Sequence, residues 1–274
     1  MTLNDLIAEA LRRASAADSA SARFATALAV VLRDAERNLR AVVTRAAVGP
    51  STAILRGQAA AKAKLEIEHA LTSAGYQDLA ASAMGTPADA VAAAVLALRS
   101  AAQVEQQSHV LLMQINALRS LHLAELLATG DDLARALWQA VARGLFGNRS
   151  VDDILADLAG IVDKTEPQIR TLYDTSVSIF GRQVEALQAG DDPQVPFLYL
   201  GPEDEKNRPF CHAHVGKVYT RQLIDQMDNG QIDNVFLTAG GFNCRHSWIE
   251  VAKSSELAGF ANTNRHVPDF KAAA

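Results

Sequence analysis

At 274 residues, 49% of them apolar but only 5% aromatic, the chain is long enough to bury a substantial core in one large domain or two smaller ones. Its apolar share is mostly Ala, Leu and Val, which favours closely packed helices over a sheet sandwich. The net charge of -5 excludes a surface that binds nucleic acid all over.

The opening Met1-Thr2-Leu3-Asn4-Asp5-Leu6 has neither a basic start nor a hydrophobic run, so no signal peptide is expected. No segment reads as apolar for the roughly 18 residues that crossing a membrane needs. The two cysteines are far apart and give no disulfide framework, which points to an intracellular, reduced protein.

Residues 1 to about 190 read as helical. After a short amphipathic segment from Leu3 to Arg13, Asp18 or Ser19 can cap a long helix. In it Phe24, Leu28, Val31, Ala35, Leu39 and Val42 recur at steps of four and three, so this stripe faces a partner. Gly49-Pro50-Ser51 predicts a break, and Ser51 or Thr52 a new cap for a helix reaching Gly75. Thr86-Pro87 opens the longest helix, expected to run to Thr129 with Val91, Val95, Leu98 and Ala102 on one face. At about 1.5 Å per residue that is a rod on the order of 60 Å. Asp131 and Asp132 then place negative charge at the start of a helix to Leu145, which Gly147-Asn148 ends. Ser150 with Asp153 caps Val151 to Val162, and Thr165-Glu166-Pro167-Gln168 opens a last helix burying Ile169, Leu172, Val177, Phe180, Val184 and Leu187. Ala189 to Pro193 reads as a linker.

Between Arg23 and Lys64 there are eight basic residues against Asp34 and Glu36. Arg33, Arg37, Arg40 and Arg45 could touch a phosphate backbone weakly, or form an ordinary solvated face. No aromatic residue interleaves with them, so base stacking is not expected. His69, His109 and His122 stand singly on helices and read as surface or satisfied interior histidines.

The C-terminal quarter is different. Val195 to Leu200 reads as a strand, Gly201 to Pro209 as a charged turn, Val218-Tyr219 as a second short strand, and Ser247 to Val251 as a third. Both cysteines fall between them, in Cys211-His212-Ala213-His214 and Asn243-Cys244-Arg245-His246. Cys211, His214, Cys244 and His246 could close a tetrahedral Zn(II) site of two sulfurs and two nitrogens. From the residues alone a second reading stays open: two small buried apolar side chains beside surface histidines. A thiol nucleophile at Cys211 would need an oriented His and a third group, and zinc would close off that chemistry. The chain after Val251 turns polar and reads as an arm or disordered end. Its fold class is therefore mainly α: a long-helix bundle over 1–148, helices over 149–190, a small α+β Cys/His module over 191–252, and a tail over 253–274.

This C-terminal stretch resembles the phage Mu F-like minor head proteins, also called the phage head morphogenesis domain. The likeness spans about 90 residues, from Thr165 to Val251. It rests on the charged turn Asp204 to Pro209, on Cys211 and His214, on Gly216-Lys217-Val218-Tyr219, and on Asn243-Cys244-Arg245-His246. Ile169 to Thr175 loosely matches the helix that bears R-T-E in many members. Gly240-Gly241-Phe242 departs from the commoner Pro and His before N-C-R, and each second cysteine is His. The resemblance implies a structural protein of the virion, near the portal and head interior, acting in head assembly, DNA packaging or DNA ejection. Its implied partners are the portal protein and other head proteins, in an oligomeric arrangement, with weak DNA contact and no membrane. The alternative is a zinc-stapled HNH-like nuclease using His212 or His266 with Asn207 or Asn243, although no hairpin and helix bear a His pair in the needed order. A host-side helical adaptor is a third reading.

Overall fold

The computed structural model describes residues 3–47, 53–85, 101–190, 192–268 and 270. The expected break at Gly49-Pro50-Ser51, the caps at Ser51 and Thr52, the Thr86-Pro87 helix start, its Val91-to-Ala102 stripe and the His109 side chain lie outside what is described. The described chain is mostly helical, followed by a small three-stranded antiparallel sheet, as the composition and strand pattern led one to expect. In order come α1 (Leu3–Ala47), α2 (Ala53–Ser73), α3 (residues 76–85), α4 (Ala101–Phe146) and α5 (Val151–Ala189). The C-terminal elements are β1 (Pro196–Leu200), α6 (Pro209–His214), β2 (Val218–Thr220), α7 (Arg221–Ile224), α8 (Val235–Thr238), β3 (Ser247–Glu250) and a 3-10 turn at Glu256–Phe260.

Contacts divide the chain into two compact units: Met1–Ala20, Thr86–Arg119 and Asp174–Ala274 in the first, and Ser21–Gly85 with Ser120–Tyr173 in the second. The second is a helical bundle. Phe24, Leu28, Val31, Ala35, Leu39 and Val42 are all buried in it, so the four-and-three stripe does face a core. Phe24 stacks on Tyr173, the ring centroids 3.9 Å apart.

Several expected helix boundaries are absent. Leu3 to Ala47 forms one helix with no break before Asp18, because Ala10, Ala14 and Ala20 keep the buried stripe continuous. The expected stop at Thr129 is absent too, since α4 runs straight through Gly130. That glycine is there for room: an added Cβ would lie 2.8 Å from Tyr76 Cδ1, and the Tyr76 hydroxyl donates to the Leu126 carbonyl at 2.8 Å. The Ser150 cap is present, its hydroxyl accepting from the Asp153 amide at 3.1 Å. The second cap is not. Thr165 Oγ1 turns back to the Ile161 carbonyl at 2.8 Å, and Pro167 sits inside a continuous α5.

Length and composition would let Val110–Phe146 cross a membrane, which corrects the sequence expectation that no stretch reaches that length. A core helix of a soluble protein passes the same test. Leu126, Leu133, Leu137 and Val141 of this stretch are buried in the second unit.

In the first unit the sheet order is β2-β1-β3, with Tyr199 opposite Trp248 and Phe197 opposite Tyr219. All five residues of β1 are buried, because both faces of the central strand are covered. Leu198 and Leu200 meet Val218, Ile249, Val251 and Val267, with Leu6 and Ala10 of α1 on the same side. Phe197 and Tyr199 point the other way, toward Cys211, Val235, Cys244 and Trp248. Described residues after Val251 reach this core where an arm was expected: Val267 is 2% exposed and its amide donates to the Gly216 carbonyl at 2.9 Å.

Gly144 is the tightest test of the bundle, since an added Cβ would lie 2.6 Å from Ile154 Cδ1. Gly144→Ala is expected to destabilise the second unit by about 1–3 kcal/mol. Gly57→Ala, whose methyl would meet nothing within 4 Å, is expected to stabilise it by about 0.5–1 kcal/mol. Denaturant unfolding monitored at Trp138 reads both, and equal effects would refute the packing account.

Candidate metal centre

The site forms where α6 and the turn after α8 meet the Tyr199 face of the sheet. Pro209 at the first turn of α6 starts that helix without an amide to satisfy, and Cys211 points inward. Gly216, at φ +75°, lets the chain reverse so that its amide donates to the Tyr199 carbonyl at 2.9 Å. On the other side Ala239 (φ +50°), Gly241 (φ +95°) and Asn243 (φ +53°) fold residues 239–243 into a tight turn that drops Cys244 beside Cys211. The Asn229 side-chain amide donates to the Ala239 carbonyl at 2.9 Å, and the Phe242 amide donates to Gln231 Oε1 at 3.2 Å, which holds that turn.

The two thiols are free, with sulfurs 3.7 Å apart. That is far too long for a disulfide. His246 presents Nδ1 to Cys244 Sγ at 3.9 Å, and one ligand atom from each of Cys211, Cys244 and His246 falls within 4.8 Å of the others. Two sulfurs at about 2.3 Å from a tetrahedral Zn(II) would stand about 3.8 Å apart, so the observed pair fits such an ion. The donor set fits as well, being two soft sulfurs and one borderline nitrogen, all at most 3% exposed. His246 Nε2 is buried with no hydrogen-bond partner, so the ring is held by shape: it stacks on Tyr199 with centroids 5.1 Å apart, and a Cβ at Gly201 would lie 2.6 Å from it.

His214 is not brought into this group. Its Nδ1 lies 2.8 Å from the Tyr219 hydroxyl, and burial lowers its pKa. Three of the four sequence-proposed ligands therefore converge, and the fourth lies to one side.

Electrostatics favour a thiolate. Cys244 is held well below the usual thiol range, first by its hydrogen bond with Cys211 and then, against burial, by His246 and the charge of Arg182. Cys211 is pushed up by the same hydrogen bond and by burial, so the two thiols are driven apart in pKa. The Gly240 amide adds a donor to Cys244 Sγ at 3.2 Å. There is no space for a side chain on Gly240, whose Cβ would collide with Cys211 Sγ and lie 3.1 Å from Cys244 Sγ.

Arg182 of α5 fixes the turn from behind. Only 3% exposed, it donates to the carbonyls of Leu237 (2.9 Å), Cys244 (2.6 Å) and His246 (3.0 and 2.7 Å). Arg245 faces outward and forks onto Asp204 at 2.6 and 2.7 Å, holding that carboxyl below its usual range. Thr175 Oγ1 accepts from the Asn243 amide at 3.2 Å. Sequence reasoning missed Tyr199, Gly240 and Arg182. The Gly240-Gly241 pair and a lone Arg between Phe180 and Val184 were the available signals.

The residues of the nuclease alternative each have other partners. His212 is exposed and 4.0 Å from Glu203, His266 bridges Lys217, Asn207 donates to the Pro202 carbonyl, and Asn243 pairs with Thr175. Among the described residues no hydrogen bond, ion pair or ring contact joins any two of these four. In the second unit Arg33, Arg37 and Arg40 line an open groove with Val30, Asp34 and Glu36. Arg37 pairs with Asp34, and Arg45 pairs with Glu66 at 2.8 Å.

No family model, curated protein or solved structure matches this chain.

Arg182→Met is expected to destabilise the C-terminal module by several kcal/mol, since three buried carbonyls lose charge-assisted bonds of about 1.5–3 kcal/mol each. Trp248, whose indole donates to the Val235 carbonyl at 3.0 Å beside this turn, reports the loss by fluorescence in a Trp138→Phe background. An unchanged midpoint would remove Arg182 from its role.

Proposed function

We propose that this chain is a minor capsid or head morphogenesis protein of a tailed phage, whose C-terminal module is stapled by a structural Zn(II) on Cys211, Cys244 and His246. One observation supports this reading above others. The segments that carry the resemblance, scattered over some 70 positions, meet at one place: Asp204 with Arg245, Cys211 with Cys244, and Thr175 with Asn243.

Zinc here would act as a cross-link between α6 and the turn before β3. Its donors are closed off from solvent, which supports a structural rather than a catalytic role for this site. A module of this size has a thin core, and metal binding adds directly to its folding free energy. The long helices supply contact surface for the portal protein and other head proteins, in the virion interior. DNA contact through Arg33, Arg37, Arg40 and Arg45 is weak, since Asp34 and Glu66 already pair with two of the four.

Elemental analysis of the purified chain is expected to find near-stoichiometric zinc, lost in Cys244→Ser together with the stability of the C-terminal module alone. Fractionated phage heads and procapsids are expected to contain the protein. A metal-free wild type would overturn the staple, and absence from heads would overturn the virion role. Divalent-metal-dependent cleavage of plasmid DNA would favour the nuclease instead.

A further inference from the structure

Tyr199 is wholly buried, and its hydroxyl lies 3.5 Å from Cys211 Sγ and 3.6 Å from Cys244 Sγ. These two sulfurs are its recorded hydrogen-bond partners. A phenol can donate to one sulfur and accept from a thiol on the other, so the contacts are judged by how well their lengths fit a shared ion. A sulfur at about 2.3 Å and an oxygen at about 2.0 Å from one tetrahedral ion stand about 3.5 Å apart. The three measured edges of the triangle, 3.5, 3.6 and 3.7 Å, match two such sulfur–oxygen edges and one sulfur–sulfur edge.

We propose that the Tyr199 oxygen is the fourth donor of the zinc site, completing a set of two sulfurs, one nitrogen and one phenolate oxygen. This rests on the zinc reading above. As the oxygen–metal bond forms, the phenol proton leaves to the buffer. His214, the fourth ligand suggested by the sequence, is already engaged with Tyr219.

Charge supplies an independent argument. Zn(II) with two thiolates and a neutral imidazole is neutral, and a second neutral histidine keeps it so. A phenolate makes the centre mononegative. Arg182 is a buried cation whose hydrogen bonds all go to carbonyls, with no carboxylate among them, and two of those carbonyls belong to Cys244 and His246. A buried charge of that kind needs an opposite one nearby. Only the phenolate-bearing set provides it when metal is bound. Tyr199 is held in place by its tilted contact with Trp248, centroids 4.3 Å apart, and by the stacked His246 ring.

The test uses the full chain, stripped of metal under reducing conditions and titrated with Zn(II) and then Co(II). In the wild type, metal addition is expected to raise the ultraviolet difference band of tyrosinate in proportion to metal bound. Tyr199→Phe is expected to lose that band, to shift the Co(II) ligand-field spectrum, and to bind Zn(II) roughly tenfold or more weakly. His214→Asn is expected to keep both band and affinity. A wild type that binds zinc without a tyrosinate band overturns the phenolate assignment and leaves the staple standing. So does a Tyr199→Phe variant with unchanged affinity and spectrum, or a His214→Asn variant that loses the metal. If Tyr199→Phe does not fold, the wild-type band and the His214 variant still decide. A wild type that binds no metal overturns both.

Discussion

Arg182 reaches from a long helix into the small module and gives every hydrogen bond it makes to main-chain carbonyls of the turn leading into β3. Burying a guanidinium this way is unfavourable unless its donors and its charge are both satisfied. The carbonyls satisfy the donors. The charge links the turn to the sulfurs, because Arg182 is among the groups that lower the Cys244 pKa. Helix, turn and thiol pair are thus parts of a single electrostatic arrangement, and none of the three is placed without the others.

The turn itself is built under constraint. Ala239 and Asn243 take positive φ without being glycine, which costs about 1–3 kcal/mol at each such position, and surrounding contacts must over-determine it. Asn229, Gln231 and Arg208 do so, the last donating to the Gly240 carbonyl at 3.2 Å. Gly240 can then lie directly over both sulfurs, closer than any residue with a Cβ. Backbone strain and sulfur placement belong to the same geometry.

Periodicity was readable in the sequence; termination was readable only in part, at Gly147-Asn148 and Ser150 but not at Thr129 or Thr165. The stripe from Phe24 to Val42 is a property of spacing, and it lies where spacing puts it. A stop was read at Thr129 and a start at Thr165, but α4 continues through Gly130, and a glycine ends a helix only if the backbone needs its freedom there. At Gly130 it is the absent side chain that matters, making room for Tyr76. Cys211, Cys244 and His246 were legible because few residue types bind soft metals, so their identity alone marks them. His214 has the same identity but is turned toward Tyr219, a contact that local spacing does not encode. Tyr199 was hidden for the opposite reason, since a tyrosine in an apolar strand is usual. Arg182 lies more than 60 positions before the carbonyls of Cys244 and His246 that it holds.

The chain after β3 folds back along β2. Asn262 donates its amide to the Val218 carbonyl and accepts from the Thr220 amide, both at 2.9 Å, while His266 bridges to Lys217. Unpaired strand borders are templates on which a second molecule can align and propagate. Here one border is covered by the segment after β3, so copies crowded together meet no open edge at β2. Neighbours on that flank must instead recognise one another by side chains, which is a contact that can be made once and then stops.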